Sequence, residues 1–384
     1  MSDKNYLRVR KIFYFFFSAW SLDFIPKSRY KFLDSLKHCV YPFLLLTGLF
    51  CEMWHFLYQM KDKSDMIDFA FSTTMSIGLF QCVVVYIIII SRNREKIMNV
   101  FQYYENVMKV HDPLMTEIRE KQYAENMRIC YLGAKYHLSA TFVSWFGIVG
   151  HDIIRSGGSS PMLFDIPGIP EESIFYYPCN FIYQFLLFFS LFELIMVSDV
   201  VIMITIACCK KEIDAISELQ STLNDEELSK NSAGTIIRRA HEAHLVLADK
   251  ASMLKMFFWH IYFYKLFSIL LYLCTMSVGL QGLNGIFPYG AAISVFVMML
   301  EAFLLCYFGQ TLKDSSEKMS DAIYMSKWYE MNVKDQKNLV IIMIRLQHQV
   351  QVETFGFGTI SIYTFVQICK ASFTYAAILY TVLK

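Results

Sequence analysis

Six ionisable residues sit inside apolar stretches of this sequence: Glu52, Glu193, Asp199, Lys265, Glu301 and Lys370. Such a side chain is costly in apolar surroundings unless it is paired or wet, so it marks a position with a task. Asp199 and Lys265 fall toward the charged ends of their stretches, where pairing or snorkelling is cheap. Glu193 and Glu301 fall nearer the middle, and two readings stand for each: a pair with a hydroxyl, or the lining of a wet cavity. His241-x-x-His244 would place two imidazoles on one helix face. No Cys or carboxylate partner stands at metal spacing, so a packed or solvated pair is expected. A phosphate-cradling glycine loop, a Gly-x-Ser-x-Gly elbow and a His-Glu-x-x-His motif are all missing, which argues against an enzyme and against a cofactor.

A second group of residues suits recognition. With 34 Phe, 24 Tyr and 21 Met in 384 residues, the chain can build an apolar cavity carrying a few polar groups, the usual make-up of a small-molecule pocket. Candidates are Phe71 and Thr74 in the second apolar stretch and Ser144, Gly147 and His151 in the third. Phe188 in the fourth and Tyr272 and Met276 in the fifth complete the set. Ser144, Gly147 and His151 share one helix face, with glycine leaving room for a ligand. Ordinary helix packing is the competing reading for every one of these positions.

The elements that carry these residues follow from composition. The chain is 55% hydrophobic and 18% charged, against roughly 45–50% and about 25% for soluble domains, and its mean hydropathy is +0.37. A soluble enzyme is excluded, and a net charge of +1 gives no basic field for nucleic acid. Seven stretches near 38–60, 67–91, 131–152, 177–209, 257–282, 289–312 and 355–383 approach the ~20 apolar residues needed to span a bilayer. Their flanks divide the Lys and Arg residues 29 to 4, which predicts a cytoplasmic N-terminus and an extracellular C-terminus. Ten cysteines are present, with only Cys179 near an outer loop, so no disulfide framework is expected.

Between the stretches, residues 92–130 and 210–256 interleave apolar positions with charges at spacings of three and four, as in Ile236, Ala240, Ala243 and Leu247. The helices numbered second to sixth should therefore extend past the membrane and pack there as a bundle. Ile12 to Trp20 is apolar but too short to span, and reads as an interfacial helix. Residues 151–176, rich in Gly and Pro, read as an ordered, turn-rich cover. Residues 333–350 read as a cytoplasmic half-helix, separated from the last span near Gly356 and Gly358. The expected organisation is an N-terminal segment at 1–37, six helices with the pocket at 38–312, anchor helices at 313–350 and a final helix at 355–384.

At the C-terminal end the pattern becomes specific. Lys370-x-Ser372-x-Thr374-Tyr375, followed by an apolar run to Lys384, resembles the last membrane helix of insect odorant receptors. Cys306-Tyr307-Phe308-Gly309, Ser316, Ala322, Tyr324 and Trp328 resemble that family's sixth helix and its continuation, and Arg345-Leu346-Gln347 the approach to the seventh. The motifs cover about the last 80 residues, and the rest is similar in topology and length. Gustatory receptors, the alternative, carry Thr-Tyr, five apolar residues and Gln-Phe, whereas here Thr381-Val382 follows Thr374-Tyr375.

The resemblance implies an all-α membrane fold of seven helices with a cytoplasmic helical anchor, unrelated to G-protein-coupled receptors and opposite in orientation. It also implies an odorant-gated, non-selective cation channel in the plasma membrane of olfactory sensory neurons. Such a chain would be the tuning subunit, assembled with the shared co-receptor in a heterotetramer and embedded in membrane lipid. The pore would be lined by the last helix, where Ala371, Thr374, Ile378 and Val382 share a face and Ile378 and Val382 fall at the family's gate. A helix–helix seam is the competing reading of those small and apolar residues. A G-protein-coupled receptor would require the opposite charge bias, and a transporter should show repeat symmetry that is not visible here.

Overall fold

The structure is a computed structural model that describes residues 31–59, 66–88, 93–109, 115–156, 164, 166–170, 172–224, 226–281 and 287–383, with a few positions between 7 and 18. Nine helices and one short hairpin are present among them. Helix α1 is Lys31–Trp54, continued by a π-helical turn at His55–Gln59; α2 is Met66–Tyr86 and α3 Arg94–Lys109. Four long helices follow: α4 (Thr116–Ser156), α5 (Tyr176–Ser221), α6 (Glu226–Gln281) and α7 (Phe287–Tyr324). A short α8 (Val333–Leu346) leads through strands β1 (Glu353–Thr354) and β2 (Gly358–Thr359) to α9 (Ile362–Leu383).

Apolar length explains the arrangement. Among the described residues, five helical segments are long and apolar enough to cross a membrane: Cys39–Tyr58, Tyr176–Asn224, Phe258–Val278, Ala292–Glu330 and Ile362–Thr381. The second stretch is represented by the shorter apolar segment Ser72–Tyr86 of α2, and the third lies in α4, where the side chains of 144–156 are outside the described residues. The apolar window of α5 is 71% buried, whereas those of α1 and α9 are 22% buried. Helix α5 is therefore the axis of the bundle, and α1 and α9 lie on its surface, where their apolar side chains suit contact with lipid or another subunit.

The charged extensions form helices, as their periodicity predicts. At that end Arg119 of α4 donates to Glu212 Oε1 of α5 through Nε (3.1 Å) and a terminal nitrogen (2.5 Å). Lys121 and Gln122 of α4 both reach Glu218 of α5, at 2.8 and 2.7 Å, and hold that carboxyl below the usual carboxylate range. Arg10, ahead of α1, pairs with Glu105 of α3 at 3.0 Å. The interfacial segment at 12–20 is described only at Tyr14, Phe15 and Ser18, all helical.

Three expected boundaries move. The second helix does not carry its own extension: α2 ends at Tyr86 and residues 94–109 form the separate α3, with Asn93 Nδ2 donating to Ile88 O at 2.9 Å between them. The half-helix ends at Leu346 rather than 350. The last span starts at Ile362, not 355, because Glu353–Thr359 pairs as an antiparallel hairpin whose Gly356 and Gly358 take φ of +75° and +68°, a left-handed turn that breaks the helix. In the 151–176 cover, Gln184 of α5 donates to Phe164 O, and Ile166 N donates to Asn180 Oδ1 at 2.7 Å, so the described part is fastened to α5.

Candidate ligand site and its polar core

Helix α6 faces α2 on one side and α7 on the other, and polar side chains meet on both faces. Toward α2, the Thr74 and Thr275 hydroxyls are 2.8 Å apart, and Ser268 Oγ donates to Gln81 Oε1 at 2.5 Å. Toward α7, Tyr272 pairs with Ser294, and the Tyr262 hydroxyl donates to Leu305 O at 3.3 Å. Lys265 lies between two carboxylates, 2.5 Å from Asp199 Oδ1 of α5 and 2.9 Å from Glu301 Oε1 of α7. His137 Nε2 of α4 meets the other Asp199 oxygen at 2.9 Å.

These four charged or titratable side chains are at most 2% exposed. In such a setting ions persist only when paired. Of the snorkelling and pairing readings for Asp199 and Lys265, pairing is the one realised, between fully buried side chains. Pairing was foreseen for Asp199 and Lys265, but His137 was missed. Its partner is on another helix 62 residues away, so no local spacing could reveal it. Of the two readings for Glu193, the hydroxyl pair is the one realised, because the Tyr41 hydroxyl donates to Glu193 Oε2 at 2.8 Å. Glu301 takes neither, binding an ammonium instead. Glu52 is buried with both oxygens unbonded among the described residues, and Lys370 is exposed on α9.

The expected pocket residues are only partly brought together. Thr74 is 1% exposed against Thr275, within one turn of Met276 and of the half-buried Tyr272. Phe188 is buried in the same apolar core. Phe71, Ser144, Gly147 and His151 have helical backbone, but their side chains lie outside the described residues. Thr275 and Ser294 were not anticipated. The signal available was the seven-residue step from Ser268 to Thr275, a hydroxyl repeat on one face of α6. Among the described residues no group of three His, Cys, Asp or Glu is placed to hold a metal; His244 is buried on α6 and His241 half-buried.

Helix α9 buries Thr364, Ile368, Ser372 and Ala376, four residues apart, against the bundle. Ser372 Oγ lies 3.3 Å from Leu270 O of α6, and Ala376 packs on Cys274 and Val278. Thr374 and Ile378 are exposed on the protomer and Ala371 is half-buried; the Val382 side chain is outside the described residues. Of the face assigned to a pore, Thr374 and Ile378 are thus turned away from the packing within the chain.

Comparison with known proteins gives a consistent result. The sequence profile of the family described as 7tm Odorant receptor matches residues 65–373. Odorant receptor 85f of Drosophila melanogaster is 33% identical over 105 residues, 26% of either chain, and odorant receptor 67c of the same species is 30% identical over 89 residues, 23% of this chain and 22% of that one. These alignments span about a quarter of the curated relatives' length. The solved structure of the insect olfactory receptor OR5 from Machilis hrabei in complex with eugenol superposes with a TM-score of 0.81 at 14% identity, covering 99% of this chain and 100% of that one. The receptor's structure described without eugenol gives 0.79 at 15% identity, with the same coverage. With the family profile running over most of its length, this multi-pass helical chain belongs to the insect odorant receptor family.

Proposed function

We propose that this chain is the odorant-tuning subunit of a ligand-gated, non-selective cation channel in the plasma membrane of olfactory sensory neurons, assembled with the family's co-receptor in a heterotetramer. Its ligand is a small volatile molecule held among Phe71, Thr74, Ser144, Gly147, His151, Phe188, Tyr272 and Met276, and its pore face is Ala371, Thr374, Ile378 and Val382. The observation that carries this reading is α9. It is a helix of membrane-crossing length that turns one face to α6 and leaves the Thr374–Ile378 face unused. Small and apolar residues there suit a constriction that closes by dewetting, and a modest outward shift would open it. At the charged end, Val340, Ile341 and Ile344 of α8 are also exposed, which suits a contact between subunits.

Ligand binding opens such a channel only if the open state is bound more tightly. The test is whole-cell current from cells expressing the chain with and without the co-receptor, challenged with volatile esters, alcohols, aldehydes and terpenoids while G-protein signalling is blocked. A rapid cation current that requires the co-receptor is expected. Replacing Ile378 and Val382 by Ala should raise unliganded current or alter ion selectivity. Unchanged basal current, selectivity and activation in both variants would reject the pore face.

A further inference from the structure

Lys370 is the only charged residue on α9, the helix assigned to the pore. It lies eight residues after Ile362 and eleven before Thr381, the two ends of the membrane-crossing segment, so about 12 Å of helix separates it from the nearer end. A four-carbon stem does not extend that far, and the ammonium cannot snorkel out. It has no ion pair or hydrogen bond among the described residues, and α9 holds no acidic residue to supply one. Buried Ile368 and Ser372 stand two residues to either side, which points Lys370 about half a turn away from the bundle.

Other polar side chains share that side. Apart from its tyrosines and Cys369, the polar residues of α9 fall into two sets: Thr364 and Ser372 are buried against the bundle, whereas Gln367, Lys370, Thr374 and Thr381 are exposed. The exposed four are separated by three, four and seven residues, which is one stripe along a helix. Ile378, four residues after Thr374 and three before Thr381, is an exposed apolar member of the same stripe. An amide and an ammonium turned outward from a membrane-crossing helix are costly against lipid and are satisfied by water. We propose that this stripe faces the conduction path and that the Lys370 ammonium stands in it, setting which cations pass. The proposal rests on the ligand-gated channel reading above, shares Thr374 and Ile378 with its pore face, and adds the residue that governs selectivity.

A fixed positive charge repels a divalent cation twice as strongly as a monovalent one at the same distance. Lys370 therefore holds calcium permeability down relative to sodium. The test reads reversal potentials of volatile-evoked current in calcium and sodium solutions, on the full chain assembled with the co-receptor, with surface amounts measured alongside. Lys370→Gln should raise the calcium-to-sodium permeability ratio roughly two- to threefold, the effect of one unit charge about 8 Å from the ion in water. Lys370→Glu should raise it further, and Lys370→Arg should leave it near the wild-type value. Lys370→Cys should behave as Lys370→Gln, and reaction with a cationic methanethiosulfonate should return the ratio to the wild-type value. The wild type treated with the same reagent, with its half-buried Cys369, is the control.

A permeability ratio indifferent to the charge at position 370 would overturn the proposal and leave the ligand-gated reading standing. So would two outcomes at an unchanged ratio: surface assembly lost in Lys370→Gln but kept in Lys370→Arg, which places the ammonium against a carboxylate of another chain, or surface amount raised by Lys370→Leu, which places it against lipid. If Lys370→Glu does not reach the surface, the contrast of Gln with Arg and the restoration at Cys still decide. A wild-type assembly at the surface that answers no volatile at all overturns the ligand-gated reading itself and the proposal with it.

Discussion

Single residues explain much of why the motif positions carry the types they do. Gly309 has no room for a side chain, since a Cβ there would stand 2.8 Å from the carbonyl oxygen of Ile360, where the chain turns into α9. Ser316 accepts the Val350 amide at 2.8 Å and so fixes the approach to the hairpin. His244 shows how one imidazole bears on the charged end of the bundle. It is buried on α6 outside the apolar span, and burial, His241 and Arg345 of α8 all hold its pKa below the usual 6.5. The unfolded chain then takes up a proton more readily than the folded one, so stability falls as pH drops below about 6.5. Hydrogen exchange of α6 and α8 at about pH 7.5 and 5.5 should show faster opening at the lower pH, and His244→Gln should reduce the difference.

At the level of elements, the Lys265 cluster ties α4, α5, α6 and α7 at one depth. Removing one member of a buried ion pair strands the others and costs about 3 kcal/mol or more, while removing matching charges together costs far less. Lys265→Met should therefore lower the melting temperature of the purified full-length protein sharply. Adding Glu301→Gln should recover much of the loss, because it leaves only the Asp199–His137 pair. Equal melting of the single and double variants would show that the cluster is not held by charge. Helices α5 and α6 run 46 and 56 residues without a break, and the charged extension of α5 is fastened to α4 by Arg119–Glu212 and by Lys121 and Gln122 on Glu218.

For the whole molecule, the division of Lys and Arg by 29 to 4 sets an expectation about orientation that the packing does not test. Epitopes placed ahead of α1 and after α9 should be accessible only from inside and only from outside intact cells, respectively. An N-terminal epitope stained without permeabilisation would reverse the assignment. Helices α1 and α9 expose large apolar residues such as Phe43, Phe50, Phe373 and Ile378. The chain therefore has two apolar flanks, each suited to contact with lipid or with another protein chain.

The sequence by itself determined the class of this protein, a helical multi-pass membrane chain of the odorant receptor family. Apolar length, the period of 3.6 and local motifs such as Cys306–Gly309 and Lys370–Tyr375 are all properties of contiguous residues. It also located the charges that matter, Asp199, Lys265, Glu193 and Glu301. Only the tertiary structure decided their partners, because His137 to Asp199, Lys265 to Glu301 and Tyr41 to Glu193 join different helices across 36 to 152 residues. Helix rotation, which composition leaves open, decided that Thr74 meets Thr275. The true start of α9 at Ile362 was likewise hidden, since two glycines at positive φ turn the chain into a hairpin, after which Ile360 packs against Gly309. Sequence reports what must be buried; the relative rotation and register of the helices decide against what.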